Sequence, residues 1–206
     1  MMKMNFEAII FDLGGVILNI DYHKTIQAFK NIGIKEFDDL YNQAQQNQLF
    51  DNLETGKISE SDFYLEIQRI SNASISVKQI EIAWNAMLLD LPSKRIDFLI
   101  ELAKATPIYL LSNTNSIHLK AFQNIINESF GKKELLEDVF IETFYSHKIG
   151  LRKPHADVFQ LILDKHQLNP TNTLFIDDSI QHIEGAKKIG LKTHHLVNQD
   201  IITLFD

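Results

Sequence analysis

The chain has 206 residues, 45% of them hydrophobic, with 27 acidic against 20 basic side chains and a formal net charge of −7. That length allows one substantial domain or a domain with a sizeable insertion, and charge so dispersed and net acidic argues against a nucleic-acid surface. With no cysteine, disulfides, thiolate nucleophiles and cysteine-held metals are excluded, and no apolar run of about 18 residues suggests a membrane span.

Met1-Met2-Lys3-Met4-Asn5 passes directly into an apolar stretch and leaves no room for a signal peptide, so a cytoplasmic protein is expected. Phe6-Glu7-Ala8-Ile9-Ile10-Phe11 is rich in β-branched and aromatic residues and stops at Asp12, followed by Leu13-Gly14-Gly15-Val16. Such a run suits a strand buried on both faces of a parallel sheet. Asp12 then falls at the carboxyl end of the strand, where open α/β sheets bind ligands. The two glycines let the backbone turn tightly beside a small anion or metal. Alone, Asp12 could equally cap a turn.

Asp21 is a good N-cap for a helix carrying Ile26, Phe29 and Ile32 and stopping at Gly33. A second helix is expected over Glu36 to Phe50, with Phe37, Leu40, Tyr41 and Ala44 on one face, then a loop over Asp51 to Lys57. Ser59 and Asp62 resemble a capping box ahead of Phe63, Ile67 and Ile70, and Ser76 could cap a fourth helix containing Ile80, Trp84 and Met87. Four helices in succession make residues 19–90 a separate block.

Beyond Leu91-Pro92 helices and strands alternate. Helices are expected over about 93–105, 116–127, 155–166 and 180–189, and strands over 107–111, 140–145, 173–176 and 192–197. The alternation implies an α/β fold with a parallel sheet to which the first strand also belongs. The core is then residues 1–18 and 91–206, and 19–90 is an insertion.

Polar groups close three of these strands: Asp12, Ser112-Asn113 and Asp177-Asp178. A parallel sheet brings them to one edge, with Lys153-Pro154 arriving between the last two. Ser112 and Asn113 could simply cap the next helix, and Lys153 could be a solvated surface lysine. Adjacent carboxylates such as Asp177 and Asp178 repel each other and favour a nearby cation, and an oxygen-rich site of that kind suits Mg²⁺.

Together these stretches resemble the haloacid dehalogenase-like hydrolase superfamily over essentially the whole chain. Phe11-Asp12-Leu13-Gly14-Gly15-Val16, Leu111-Ser112-Asn113, Lys153-Pro154 ahead of Phe159, and Phe175-Ile176-Asp177-Asp178-Ser179 followed by Glu184-Gly185-Ala186 and Gly190 match its four motifs. Residues 19–90 look like its helical cap over a Rossmann-like core. The nearest likeness is to small sugar-phosphate phosphatases and the phosphatase domain of soluble epoxide hydrolases. The resemblance implies that Asp12 attacks phosphorus and forms an aspartyl-phosphate. It implies that Asp12, the carbonyl of Gly14 and Asp178 hold Mg²⁺, with Asp177 acting through water. Ser112, the backbone of Asn113 and Lys153 would hold the phosphoryl oxygens, so that one metal and one lysine offset an acidic protein at the place that matters.

Two positions depart from the family pattern. The aspartate that usually serves as general acid and base two residues after the nucleophile is here Gly14. His182 stands where Asp or Asn is common, either orienting Lys153 or a metal-bound water, or lying on a helix surface. The expected activity is Mg²⁺-dependent hydrolysis of a small phosphorylated metabolite such as a sugar phosphate. The alternatives are a metal-independent dehalogenase, in which Asp12 attacks carbon, and a phosphate-binding regulator with little turnover. Asp21, Tyr22 and His23, where the chain enters the cap, are candidate substrate contacts.

Overall fold

Strand β1 (Ala8–Phe11) is fully buried, and its four side chains alternate between two separate apolar layers. The computed structural model describes residues 6–42, 45–46, 48–71 and 74–205. The opening Met1-Met2-Lys3-Met4-Asn5 lies outside the described residues. Strands β4 (Ile108–Ser112), β5 (Glu142–Tyr145), β6 (Thr173–Asp177) and β7 (Lys192–His195) join β1 in a five-stranded sheet of order β5-β4-β1-β6-β7. All four pairings are parallel. Ile9, Phe11, Ile108, Leu110, Leu174 and Ile176 face one layer; Ala8, Ile10, Tyr109, Leu111 and Phe175 face the other. Apolar side chains on both faces explain why these strands read as continuous hydrophobic runs.

Helices cover each face. α6 (Ser93–Ala103) and α7 (Ser116–Phe130) contribute Leu99 and Phe122 to the first layer. α10 (Ala156–His166) and α11 (Ile180–Lys187) contribute Phe159 and Ile183 to the second. The α/β architecture expected from the alternation is therefore present. Two short helices escaped the periodicity: α8 (Leu135–Val139) and α9 (Ser146–Ile149). Each spans about one turn, too short for a 3.6-residue pattern to register.

Between β1 and β4 the chain forms mainly helices around a third apolar cluster. α1 (Tyr22–Asn31) starts at Asp21, whose carboxylate accepts from the His23 N–H. α4 (Glu60–Ser71) opens with the expected Ser59–Asp62 box, and α5 (Val77–Asn85) with a box of Ser76 and Gln79. Met87 lies beyond the end of α5. The long helix expected over 36–50 is instead α2 (Phe37–Leu40), a two-stranded antiparallel ribbon of β2 (Tyr41–Asn42) and β3 (Gln45–Gln46), and α3 (Gln48–Glu54). Ala44 lies outside the described residues, as do the side chains of Leu40 and Tyr41. The sequence between Tyr41 and Leu49 is mostly Asn and Gln, so it carries no apolar stripe with which a long helix could pack. Residues 51–54, expected as loop, are the end of α3.

Phe29 stacks on Phe37 at 3.8 Å, and Phe50 and Phe63 pack against Trp84 at 5.3 and 5.2 Å. The chain enters and leaves this region side by side: Asn19 N–H donates to the Asp90 carbonyl, Leu89 N–H to that of Asn19, and Asp21 N–H to that of Met87.

Candidate active site

Parallel pairing sets the site. Phe11 lies opposite Leu110 and Ile176, so Asp12, Ser112 and Asp177 emerge together at the carboxyl edge of the sheet. Lys153 comes up between them with no exposed surface, its Nζ 2.7 Å from Asp12 Oδ1 and 2.7 Å from Asp177 Oδ2. Burial alone would lower the lysine's pKa, but the two carboxylates outweigh it and hold the ammonium charged.

The loop that carries Lys153 is fixed from two sides. Asn113 Nδ2 donates to the Lys153 carbonyl and Asn113 Oδ1 accepts from its N–H, both at 2.9 Å. On the other side Gly185 of α11 lies against Pro154, where a Cβ would come within 2.2 Å of the Pro154 oxygen. Asn113 therefore spends its side chain on the lysine loop. It does not cap α7; that role falls to Asn115, whose Oδ1 accepts from the N–H groups of Ile117 and His118.

Three carboxylates face this one ammonium. Asp177 is buried and accepts from Lys153, the Ser179 N–H and His182, whose Nδ1 lies 3.0 Å from both its oxygens. Burial favours its neutral form, yet Lys153 and His182 keep it ionised below the ordinary range. Asp12 goes the other way. Burial raises it to about 7 despite Lys153, with Asp177 and Asp178 pushing in the same direction. Asp178 rises to about 6 from burial and its neighbour Asp177. Its carboxylate presses so closely on Gly15 that a Cβ there would lie 2.2 Å from Oδ2; with φ +75°, position 15 requires glycine.

Asp12, Asp177 and His182 offer ligand atoms within 4.8 Å of one another, and Asp178 and Gly14 line the same cavity. Hard oxygen donors carrying more negative charge than Lys153 neutralises fit a small divalent cation. Counted with the solvent space at its mouth, the cavity takes in about 520 Å³. Asp12, Gly14, Ser112, Asn113, Lys153 and Asp178 all line it, so the structure brings these sequence-nominated residues together. Asp177 stands behind Lys153. His182 is drawn into the site and off the helix surface, a placement that depends on which face of α11 packs inward. Of the three candidate contacts at the entrance, Tyr22 lines the cavity; Asp21 caps α1, and His23 is exposed.

His118 also lines the cavity and was not foreseen. Its Nε2 meets the Trp84 carbonyl at 3.1 Å, its Nδ1 meets Asn115 Nδ2 at 3.2 Å, and its ring stacks on Trp84 at 4.7 Å. The Asn115–His118 spacing of one helical turn was the available signal, but it says nothing of the partner 34 residues upstream.

Residues 6–190 match the haloacid dehalogenase-like hydrolases. The chain belongs to that family. It is 30% identical over 185 residues to a D-ribitol-5-phosphate phosphatase of Bacteroides thetaiotaomicron, covering 90% of this chain and 89% of that one. It superposes with a TM-score of 0.90 at 32% identity on a family enzyme of the same bacterium, covering 98% of this chain and 99% of the other. That structure is an aspartate-to-alanine variant in complex with magnesium and inorganic phosphate. An L-2-haloacid dehalogenase of Xanthobacter autotrophicus shares the fold, with a TM-score of 0.59 at 18% identity over 91% of this chain and 76% of that one. Among the described residues no helix is long and apolar enough to cross a membrane.

Proposed function

We propose that this family member is a Mg²⁺-dependent phosphatase that hydrolyses a small phosphorylated metabolite through Asp12. The observation that carries the reading is the cluster itself. A buried ammonium bridges Asp12 and Asp177 at 2.7 Å each, beside a further carboxylate, Asp178, that the ammonium leaves unneutralised. Attack on carbon by Asp12 alone gives the Asp177–Asp178 pair no purpose, which favours phosphorus over a haloacid. The family enzyme bound to magnesium and phosphate supports the same choice.

In this reading residues 1–18 and 91–206 form the catalytic core and 19–90 the cap above it. Asp12, the Gly14 carbonyl and Asp178 would hold Mg²⁺, with Asp177 acting through water, and the ion would supply positive charge where phosphoryl charge develops. Asp12 donates a carboxylate electron pair to phosphorus, and the bond to the ester oxygen breaks, the departing oxygen taking a proton from water to leave as the alcohol. Water then attacks the aspartyl-phosphate, freeing inorganic phosphate and restoring the carboxylate. Ser112, the Asn113 N–H and Lys153 hold the phosphoryl oxygens in place, the positioning on which phosphoryl transfer depends. Kinship with a D-ribitol-5-phosphate phosphatase supports a sugar or polyol phosphate, and a cytoplasmic setting fits a chain without cysteine.

The test is release of phosphate from p-nitrophenyl phosphate with Mg²⁺, with EDTA, and by Asp12→Asn. Turnover should need Mg²⁺ and fall to trace levels in the variant, which keeps the shape of the side chain without its charge. Full activity in EDTA, or halide release from a haloacid, overturns the reading.

A further inference from the structure

Apart from the catalytic cluster, the cavity is lined largely by hydrocarbon side chains. Leu18, Ile20 and Tyr22 line it where the chain leaves the core, Met87 and Leu88 where it returns, and Phe122 from α7. Ile20 and Leu88 are partners in an antiparallel bridge, so the two crossing segments present these side chains as one surface. Ile20 also fills the space beside Gly14. A Cβ built on Gly14, two residues from Asp12, would lie 3.0 Å from Ile20 Cδ1. A methyl group thus occupies the space that a side chain at position 14 would take.

Several polar side chains in the lining are already engaged by the protein. Asn113 is used at both ends by the Lys153 peptide, and both ring nitrogens of His118 are used by Trp84 and Asn115. Burial keeps that imidazole neutral. Among the described residues, Lys153 supplies the cavity's one ammonium, and no arginine, glutamine or glutamate joins it. Away from the catalytic cluster, a substrate bearing several hydroxyls would meet few polar side chains, and each hydroxyl left without a partner costs binding.

We propose that this chamber selects phosphomonoesters of compact apolar alcohols over those of polyhydroxylated ones, and that Ile20 is its main specificity-determining side chain. The proposal rests on the phosphatase reading and goes against the substrate class that kinship suggests. Hydrophobic walls discriminate against one added hydroxyl by about 10²-fold at most, so the preference is graded rather than absolute.

The experiment compares kcat/KM for 3-methylbutyl and benzyl phosphate with that for glycerol and ribitol phosphate at saturating Mg²⁺. Hydroxylated alcohols are the more acidic leaving groups, so chemistry alone favours the polyols, and an opposite order reports the chamber. The apolar esters should lead by roughly ten- to a hundredfold, and Ile20→Asn should shrink that lead at least tenfold. Titration of benzylphosphonate and a hydroxylated phosphonate into Asp12→Asn should give the same order of affinity without turnover. Equal or polyol-favouring values in both measurements overturn the proposal while leaving the phosphatase reading intact. Should none of the four esters turn over, the order of the phosphonate affinities decides this proposal, and release of phosphate from p-nitrophenyl phosphate decides the phosphatase reading.

Discussion

Gly14 and Ile20 act as one feature at the scale of single residues, because the space given up by one is taken by the other. A glycine offers no proton to a departing alcohol, a contribution worth about 10²–10⁴-fold when a side chain supplies it. Hydrolysis should therefore be steeply sensitive to the leaving group, fastest for aryl and acyl phosphates. Gly14→Asp should not flatten that dependence by itself, since its Cβ meets Ile20 Cδ1 at 3.0 Å and its charge joins carboxylates already pushed up by burial and by one another. Gly14→Asp with Ile20→Ala should flatten it, and rates across a series of aryl and alkyl phosphates check the point. A wild-type rate indifferent to leaving group would mean that His182 or another group supplies the proton. Asp12, Ser112, Lys153 and Asp178 were legible in the sequence because three close apolar runs and the fourth precedes a proline, positions that topology brings to one edge. The use of Asn113 was not, since only the folded loop shows its carboxamide facing the Lys153 peptide. Nor could spacing show that His182 turns inward.

Elements were readable in proportion to their length. Strands buried on both faces, and helices of three turns such as α7 and α10, carry enough apolar residues to fix their type. The amide-rich stretch after Tyr41 and the single-turn α8 and α9 do not. How elements dock was less readable still, and the meeting of α5 with α7 at His118 is the clearest instance. With Nδ1 accepting from Asn115 and Nε2 donating to the Trp84 carbonyl, the hydrogen-bond network assigns a neutral ring. A proton on Nδ1 would confront the Asn115 amide. Burial accordingly lowers this histidine from 6.5 to about 4, the Trp84 carbonyl offsetting part of the effect. The unfolded chain takes up that proton near pH 6.5 and the folded chain does not, so the contribution is complete above pH 6.5 and is lost as pH falls towards 4. Its size is roughly 3 kcal/mol. His118→Gln should lose stability at pH 7 but show a shallower decline on acidification, read from urea unfolding at pH 7 and 4.5. Parallel declines in the two proteins would show that His118 is not the group responsible.

Across the whole molecule, the sheet edge gathers charge that the fold alone does not balance. The strand ends and the Lys153 loop supply Asp12, Asp177, Asp178 and Lys153, and the segments carrying Ile20 and Met87-Leu88 line the cavity with apolar side chains, so the carboxylates are cut off from water on one side without gaining cations from the other. Asp12 at about 7 and Asp178 at about 6, both raised first by burial, hold protons that the unfolded chain releases near pH 4. Because the folded state binds the extra protons, these groups make the metal-free protein less stable as pH rises from about 4 to about 7. A divalent cation takes the place of those protons, and binding only to the folded state it adds about 2.7 kcal/mol at a hundred times its Kd. For a chain of this length each kcal/mol moves Tm by about 2–4 °C. Mg²⁺ should therefore raise Tm by roughly 5–10 °C at pH 8 and by much less at pH 5, where protons occupy the site. Asp178→Asn should raise the metal-free Tm at pH 8, by removing one repelling charge, and abolish most of the Mg²⁺ shift. Thermal melts of both proteins with and without Mg²⁺ at the two pH values decide it. A Mg²⁺ shift that is the same at pH 5 and pH 8, or unchanged in the variant, would place the ion away from this cluster.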